Sequence, residues 1–107
     1  MRYLLTSLAD ENTPAPDERL FAEMGAFIEE MSAKGILLAT GGLEPGGVRM
    51  TSSGSEITVT DGPFAEAKEV AVGFALIEVT SGDEMLELAR RFRRIVGDGV
   101  SEIRRVL

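Results

Sequence analysis

The chain has 107 residues, 44% of them hydrophobic and 27% charged, with a net charge of −7. That length holds one domain with one core, and the composition is that of a folded globular protein. The acidic balance argues against a nucleic-acid backbone or an anionic membrane as partner, and the absence of cysteine and histidine excludes disulfides, thiolate or imidazole metal sites and the Ser-His-Asp triad.

The stretch "RYLLTSLA" predicts a first strand, with Tyr3, Leu5 and Ser7 on one face and Leu4, Thr6 and Leu8 on the other. Its apolar run is too short for a secretory or membrane-spanning segment, so the expected location is cytoplasmic. The loop "DENTPAPDE" follows, dense in turn formers. A helix is expected from Pro16 or Asp17 to Lys34, with Leu20, Phe21, Met24, Phe27, Ile28 and Met31 forming its apolar stripe. Gly35 supplies the left-handed stop.

"GILLAT" predicts a second strand, apolar on both faces, and "GGLEPGG" a loop around Pro45. The loop lacks the Gly-Lys-Ser/Thr ending of a phosphate cradle. "VRMTSSGSEITVT" predicts a hairpin, residues 48–51 pairing with 56–60 across Ser-Gly-Ser. After an Asp-Gly-Pro-Phe turn, "VGFALIEVT" is a strand with Phe74 and Leu76 facing one way and Ala75, Ile77 and Val79 the other. "SGDEMLELARRFRRIVG" is the second helix. Ser81 and Glu84 fit a capping box, Gly97 ends the helix, and Glu87 is placed to pair with Arg91 four residues on. "SEIRRVL" closes the chain as a strand.

Two helices separated by strands in this order predict an α+β, ferredoxin-like sandwich with both helices on one face of a mainly antiparallel sheet. Two helices cover only one side of such a sheet, yet "GILLA" and "VGFALIEV" are apolar on both. An uncovered apolar face exceeds what soluble monomers expose, and the chain has no third long helix for it. The expected cover is a second copy, its sheet packed face to face to form a dimeric α/β barrel.

Without histidine or cysteine, chemistry must rest on carboxylates, lysine, arginine, Tyr3 or backbone groups. Asp61 is the main candidate. It ends a β-branched strand, and Gly62-Pro63 holds the bend that delivers Phe64. Two accounts of Asp61 remain open: a turn carboxylate that accepts backbone N–H groups, or a general acid/base mounted at the mouth of a barrel. Arg49 offers a planar fork for a ligand carboxylate, and Lys68 is a cation flanked by Glu66 and Glu69. Tyr3 is the one phenol. No acid cluster has metal-site spacing, and no metal or cofactor is expected.

The segment "VTDGPFAEAKEVAVGFALIEV" resembles the signature of the DGPF, or DGPFAETKE, family among the YCII-related proteins. "RYLL", "GGL", "VR" in the hairpin and "GF" conform as well, so the similarity spans the chain. The resemblance implies a dimeric barrel of the ferredoxin-like type and Asp61 as a shared acid, while implying little about reaction. Ala67 stands where the family has threonine, and the chain lacks the histidine of the His–Asp pair discussed for the wider group, so only Asp61 carries over.

Two functional expectations follow. One is a homodimer that binds a small polar molecule near Asp61, Phe64, Arg49, Lys68 and Tyr3, in an accessory or regulatory role. The other is a lyase or isomerase in which Asp61 moves a proton.

Overall fold

A computed structural model of the chain describes residues 1–9, 15–62 and 70–107. Its elements run β1 (Arg2–Ala9), α1 (Glu18–Ala33), β2 (Leu37–Gly42), β3 (Val48–Ser53), β4 (Glu56–Asp61), β5 (Val70–Glu78), α2 (Gly82–Val96) and β6 (Val100–Val106). Four strands form one sheet in the order β2-β5-β1-β6, each neighbouring pair antiparallel. Each helix therefore crosses between strands separated by one intervening strand, which is the ferredoxin-like split arrangement. The β3–β4 hairpin forms a separate two-stranded ribbon between β2 and β5.

The helix ends are set by their caps. Asp17 accepts a hydrogen bond from the Leu20 N–H at 2.8 Å, and Gly35 turns the chain out with φ at 73°. For α2, Ser81 Oγ accepts from the Glu84 N–H at 3.1 Å. The Glu84 carboxylate reaches back to the N–H of Thr80 at 2.9 Å and to its hydroxyl at 2.6 Å, one residue before the cap. Those bonds, the hydroxyl first, lower the pKa of the Glu84 carboxyl.

The core lies between α2 and the sheet, where Leu5, Ile77, Val79, Met85 and Ala89 are buried. Tyr3, Ala75 and Ile103 pack against them, as the alternation along β1 and β5 requires. The first helix is held less closely. Of its stripe only Met31 is buried, and Phe21 is 66% exposed, so Phe21 falls outside the face that α1 turns inward.

The opposite sheet face carries Leu4 across from Leu76 and Thr6 across from Phe74, with Leu8 beside Val100. Both helices lie on the other side and every residue of β3 and β4 is exposed, so no described element covers this face. Its four large residues on β1 and β5, Leu4, Leu8, Phe74 and Leu76, are half-buried.

The ribbon departs most from a self-contained fold. The chain exposes 7665 Å², against roughly 5,800 Å² for a folded monomer of its 11.5 kDa mass. Its radius of gyration is 16.0 Å, where a compact domain of this length has about 13 Å.

Three sequence expectations need adjustment. Gly41 and Gly42 belong to β2, not to the following loop, because both are paired to β5. The hairpin is longer at both ends than residues 48–51 and 56–60, closing on Gly54 with φ at 61°. Arg91 pairs with Glu30 of α1 instead of Glu87, and Glu87 pairs with Arg90.

Candidate functional site

The residues singled out from the sequence lie on separate surfaces. Asp61 is exposed at the root of the ribbon, opposite Val48, and its carboxylate has no hydrogen-bond or ion-pair partner among the described residues. The bond that closes the root is made by backbone instead: the Gly62 N–H donates to the Gly47 carbonyl at 2.7 Å. Arg49 pairs with Thr60 and so projects from the ribbon face opposite Asp61. Tyr3 belongs to the four-stranded sheet on the side of the helices. Its hydroxyl stands 3.3 Å from where a β-carbon on Gly82 would sit, at the start of α2. Phe64 and Lys68 fall outside the described residues.

A different site emerges from the pairing of the four strands. Gly42 of β2, Gly73 of β5, Ser7 of β1 and Ser101 of β6 are register partners and form one row across the whole sheet. The next row is Thr40, Ala75, Leu5 and Ile103. The row beyond it contains Ile77 and Tyr3. Side-chain volume on the helix-facing surface therefore rises from almost nothing at one end of the strands to a full layer at the other. Close packing fails where the floor is glycine and serine, because no neighbouring side chain is long enough to reach down.

The result is an apolar cavity of about 250 Å³ between the sheet and the two helices. Met24, Phe27 and Ile28 of α1 roof it, Leu88 and Phe92 of α2 close one side, and Ala75 and Gly73 lie in its floor. Two hydroxyls reach the lining. Thr40 Oγ1 is already committed, donating to the Phe74 carbonyl at 2.8 Å. The Ser7 hydroxyl has no partner among the described residues and is the polar group a guest would meet.

The roof is fastened from outside. Arg91 of α2 donates two parallel hydrogen bonds to Glu30 of α1, at 3.0 and 3.1 Å, and its guanidinium lies 4.9 Å from the centre of the Phe27 ring. The Arg91 bond, then that of Lys34, lowers the Glu30 pKa from 4.5 to about 2. An apolar cavity of this size is larger than the about 150 Å³ that accommodates benzene in a dry protein interior. Such a lining selects by shape and apolar surface, with one hydroxyl to orient a guest.

Among the described residues no carboxylate, lysine or arginine lines the cavity. Among the described residues no group of three or more Asp or Glu could hold a metal ion, and no helix is long and apolar enough to cross a membrane. Sequence reasoning missed this site because it searched for chemistry-bearing side chains. Its signal was the reverse, namely small residues at inward-facing strand positions: Ser7, Gly73 and Ala75.

Comparison with known proteins gives the lineage. The YCII-related domain matches residues 1–107 of the chain. A protein of Rhizobium meliloti (strain 1021), itself uncharacterized, is 38% identical over 97 residues, which cover 84% of this chain and 78% of that protein.

Proposed function

The chain belongs to the YCII-related domain family, and we propose that it works as a homodimer that binds a small, largely apolar molecule between α1 and the sheet. The cavity of about 250 Å³ floored by Gly73, Ala75 and Ser7 carries this reading. It changes the class of ligand from the polar molecule expected of Asp61 and Arg49 to an aromatic ring or a short acyl chain with one hydrogen-bonding end. The motif running from Asp61 to Glu69 puts the chain with the DGPF members of the family. The homodimer rests on the uncovered sheet face, where Leu4, Leu8, Phe74 and Leu76 form one apolar surface that a two-fold copy would bury.

Binding without turnover fits the apolar residues described in the lining. The role is that of an accessory or regulatory protein whose α1 responds to occupancy, since α1 is the less firmly held of the two helices. The test is a thermal-shift and NMR titration with benzene, indole and hexanoate. Binding of at least one probe, with perturbed signals at Ala75 and Phe27, supports the reading. Perturbation only at Asp61 or Arg49 contradicts it.

A lyase or isomerase reading keeps one specific support, the unpartnered Asp61 carboxylate at the ribbon root. On that reading Asp61 transfers the proton, and Arg49, Lys68, Phe64 and Tyr3 bind the substrate. Asp61→Asn tests it directly: unchanged binding and stability remove Asp61 from any site.

A further inference from the structure

We infer that the β3–β4 ribbon is a dimerisation arm whose apolar face lies against a second copy of the chain. The inference rests on the homodimer proposed above and adds the arm as its second contact.

Register divides the ribbon into two unlike faces. Val48, Met50, Ser52, Ile57, Val59 and Asp61 share one, while Arg49, Thr51, Ser53, Glu56, Thr58 and Thr60 share the other. The second face is polar throughout and suits water. The first carries four large apolar side chains, and all are bare: Val48 is 61% exposed, Met50 67%, Ile57 66% and Val59 57%. A two-stranded hairpin alone is marginal in water and gains stability by laying such a face on something. Ordinary scattered surface residues do not alternate this strictly over six cross-strand pairs.

The occupant follows from area and reciprocity. The chain exposes 7665 Å² against roughly 5,800 Å² for its mass, an excess of about 1,900 Å². A standard interface removes about 800 Å² from each partner, so the surplus is more than twice that and in the range of a large obligate dimer, more than a single ordinary contact would cover. The same chain also presents a second orphan surface, the open sheet face, apolar at Leu4, Leu8, Phe74 and Leu76 and edged on β6 by Val100 and Val106 with Glu102 and Arg104 between them. One two-fold axis satisfies both surfaces, packing the two sheet faces on each other and laying the apolar face of each arm against the other subunit beside that contact. A foreign partner would need to match both surfaces and would leave no symmetry to explain why both exist.

The protein has no cysteine, so a single introduced thiol reports its own burial. Met50→Cys places it on the apolar face and Thr51→Cys on the polar face. Thiol labelling rates are measured from micromolar to millimolar protein, with the association state followed by sedimentation equilibrium. The arm contact gives a dimer in which Cys at 50 reacts at least about tenfold more slowly than Cys at 51, with the difference vanishing on dilution to monomer. A dimer with equal rates at both positions overturns the arm and leaves the sheet-to-sheet dimer standing. Slow labelling that persists in the monomer also overturns it, since the chain then covers its own ribbon. A monomer at every concentration overturns both readings. If Met50→Cys does not fold, Val59→Cys reports on the same face.

Discussion

Arg91 and Glu30 hold the two helices together across the roof of the cavity through a two-bond guanidinium–carboxylate pair at 3.0 and 3.1 Å. The same guanidinium lies over the Phe27 ring, which lines the chamber beneath. The pair is therefore a fastening for the less tightly packed helix, placed where α1 would lift. Its pH dependence follows from the Glu30 carboxyl, lowered from 4.5 to about 2 chiefly by Arg91 and then by Lys34. A depressed folded-state pKa stabilises fully above the unfolded value and is lost as pH falls through the folded one. The fastening is thus complete above about pH 4.5 and released towards about pH 2. In Arg91→Gln the Glu30 carboxyl, followed by NMR titration, moves back up towards 4.5, and α1 amides exchange faster.

Met85 marks the opposite regime. It is 1% exposed, beneath α2 and against the buried sheet residues. Met85→Ala removes contacts that nothing can replace and costs about 2–5 kcal/mol, read as a fall in the denaturant midpoint at unchanged slope. A loss well under 1 kcal/mol would mean that α2 collapses readily into the space.

The start of α2 rests on a short hydroxyl–carboxylate chain. Ser81 caps the Glu84 N–H, and Glu84 in turn holds Thr80. Ser81→Ala costs about 1 kcal/mol by leaving the N–H without its acceptor. Chemical denaturation measures it, and Ser81→Thr should restore most of the loss.

Ligand selection depends on the floor of the chamber. Ala75→Leu extends a side chain into the space between Phe27 and the sheet, so binding of benzene or indole falls at least about tenfold while the fold remains. Ser7→Ala removes the free hydroxyl and weakens only probes with a polar end, by about threefold to tenfold for one lost hydrogen bond. Isothermal titration distinguishes the two, because Ser7→Ala leaves benzene affinity unchanged.

Much of this architecture was legible in the residues themselves. Alternation in "RYLLTSLA" and "VGFALIEV" separated Leu5 from Leu4, and Ile77 and Val79 from Leu76, onto opposite strand faces, and the pairing of β1 with β5 agrees. Asp17, Gly35, Ser81 and Gly97 marked helix ends because each position demands a specific cap or a left-handed residue. The Glu30–Arg91 pair was not legible, since local i,i+4 spacing favours Glu87 and only the packing of α1 on α2 brings Glu30 close. The cavity was not legible either. A void is a property of four strands in register, and Gly41-Gly42 read locally as a loop until pairing with β5 made it strand.

The central claim is that α1 and the sheet leave an apolar, occupiable space between them, and xenon tests it most directly. Crystals pressurised with xenon should show an anomalous peak between Phe27 and Ala75, above Gly73, in the cavity of about 250 Å³. Ordered water there, or α1 closed down onto the Gly–Ser row with no space for a xenon atom, would contradict it.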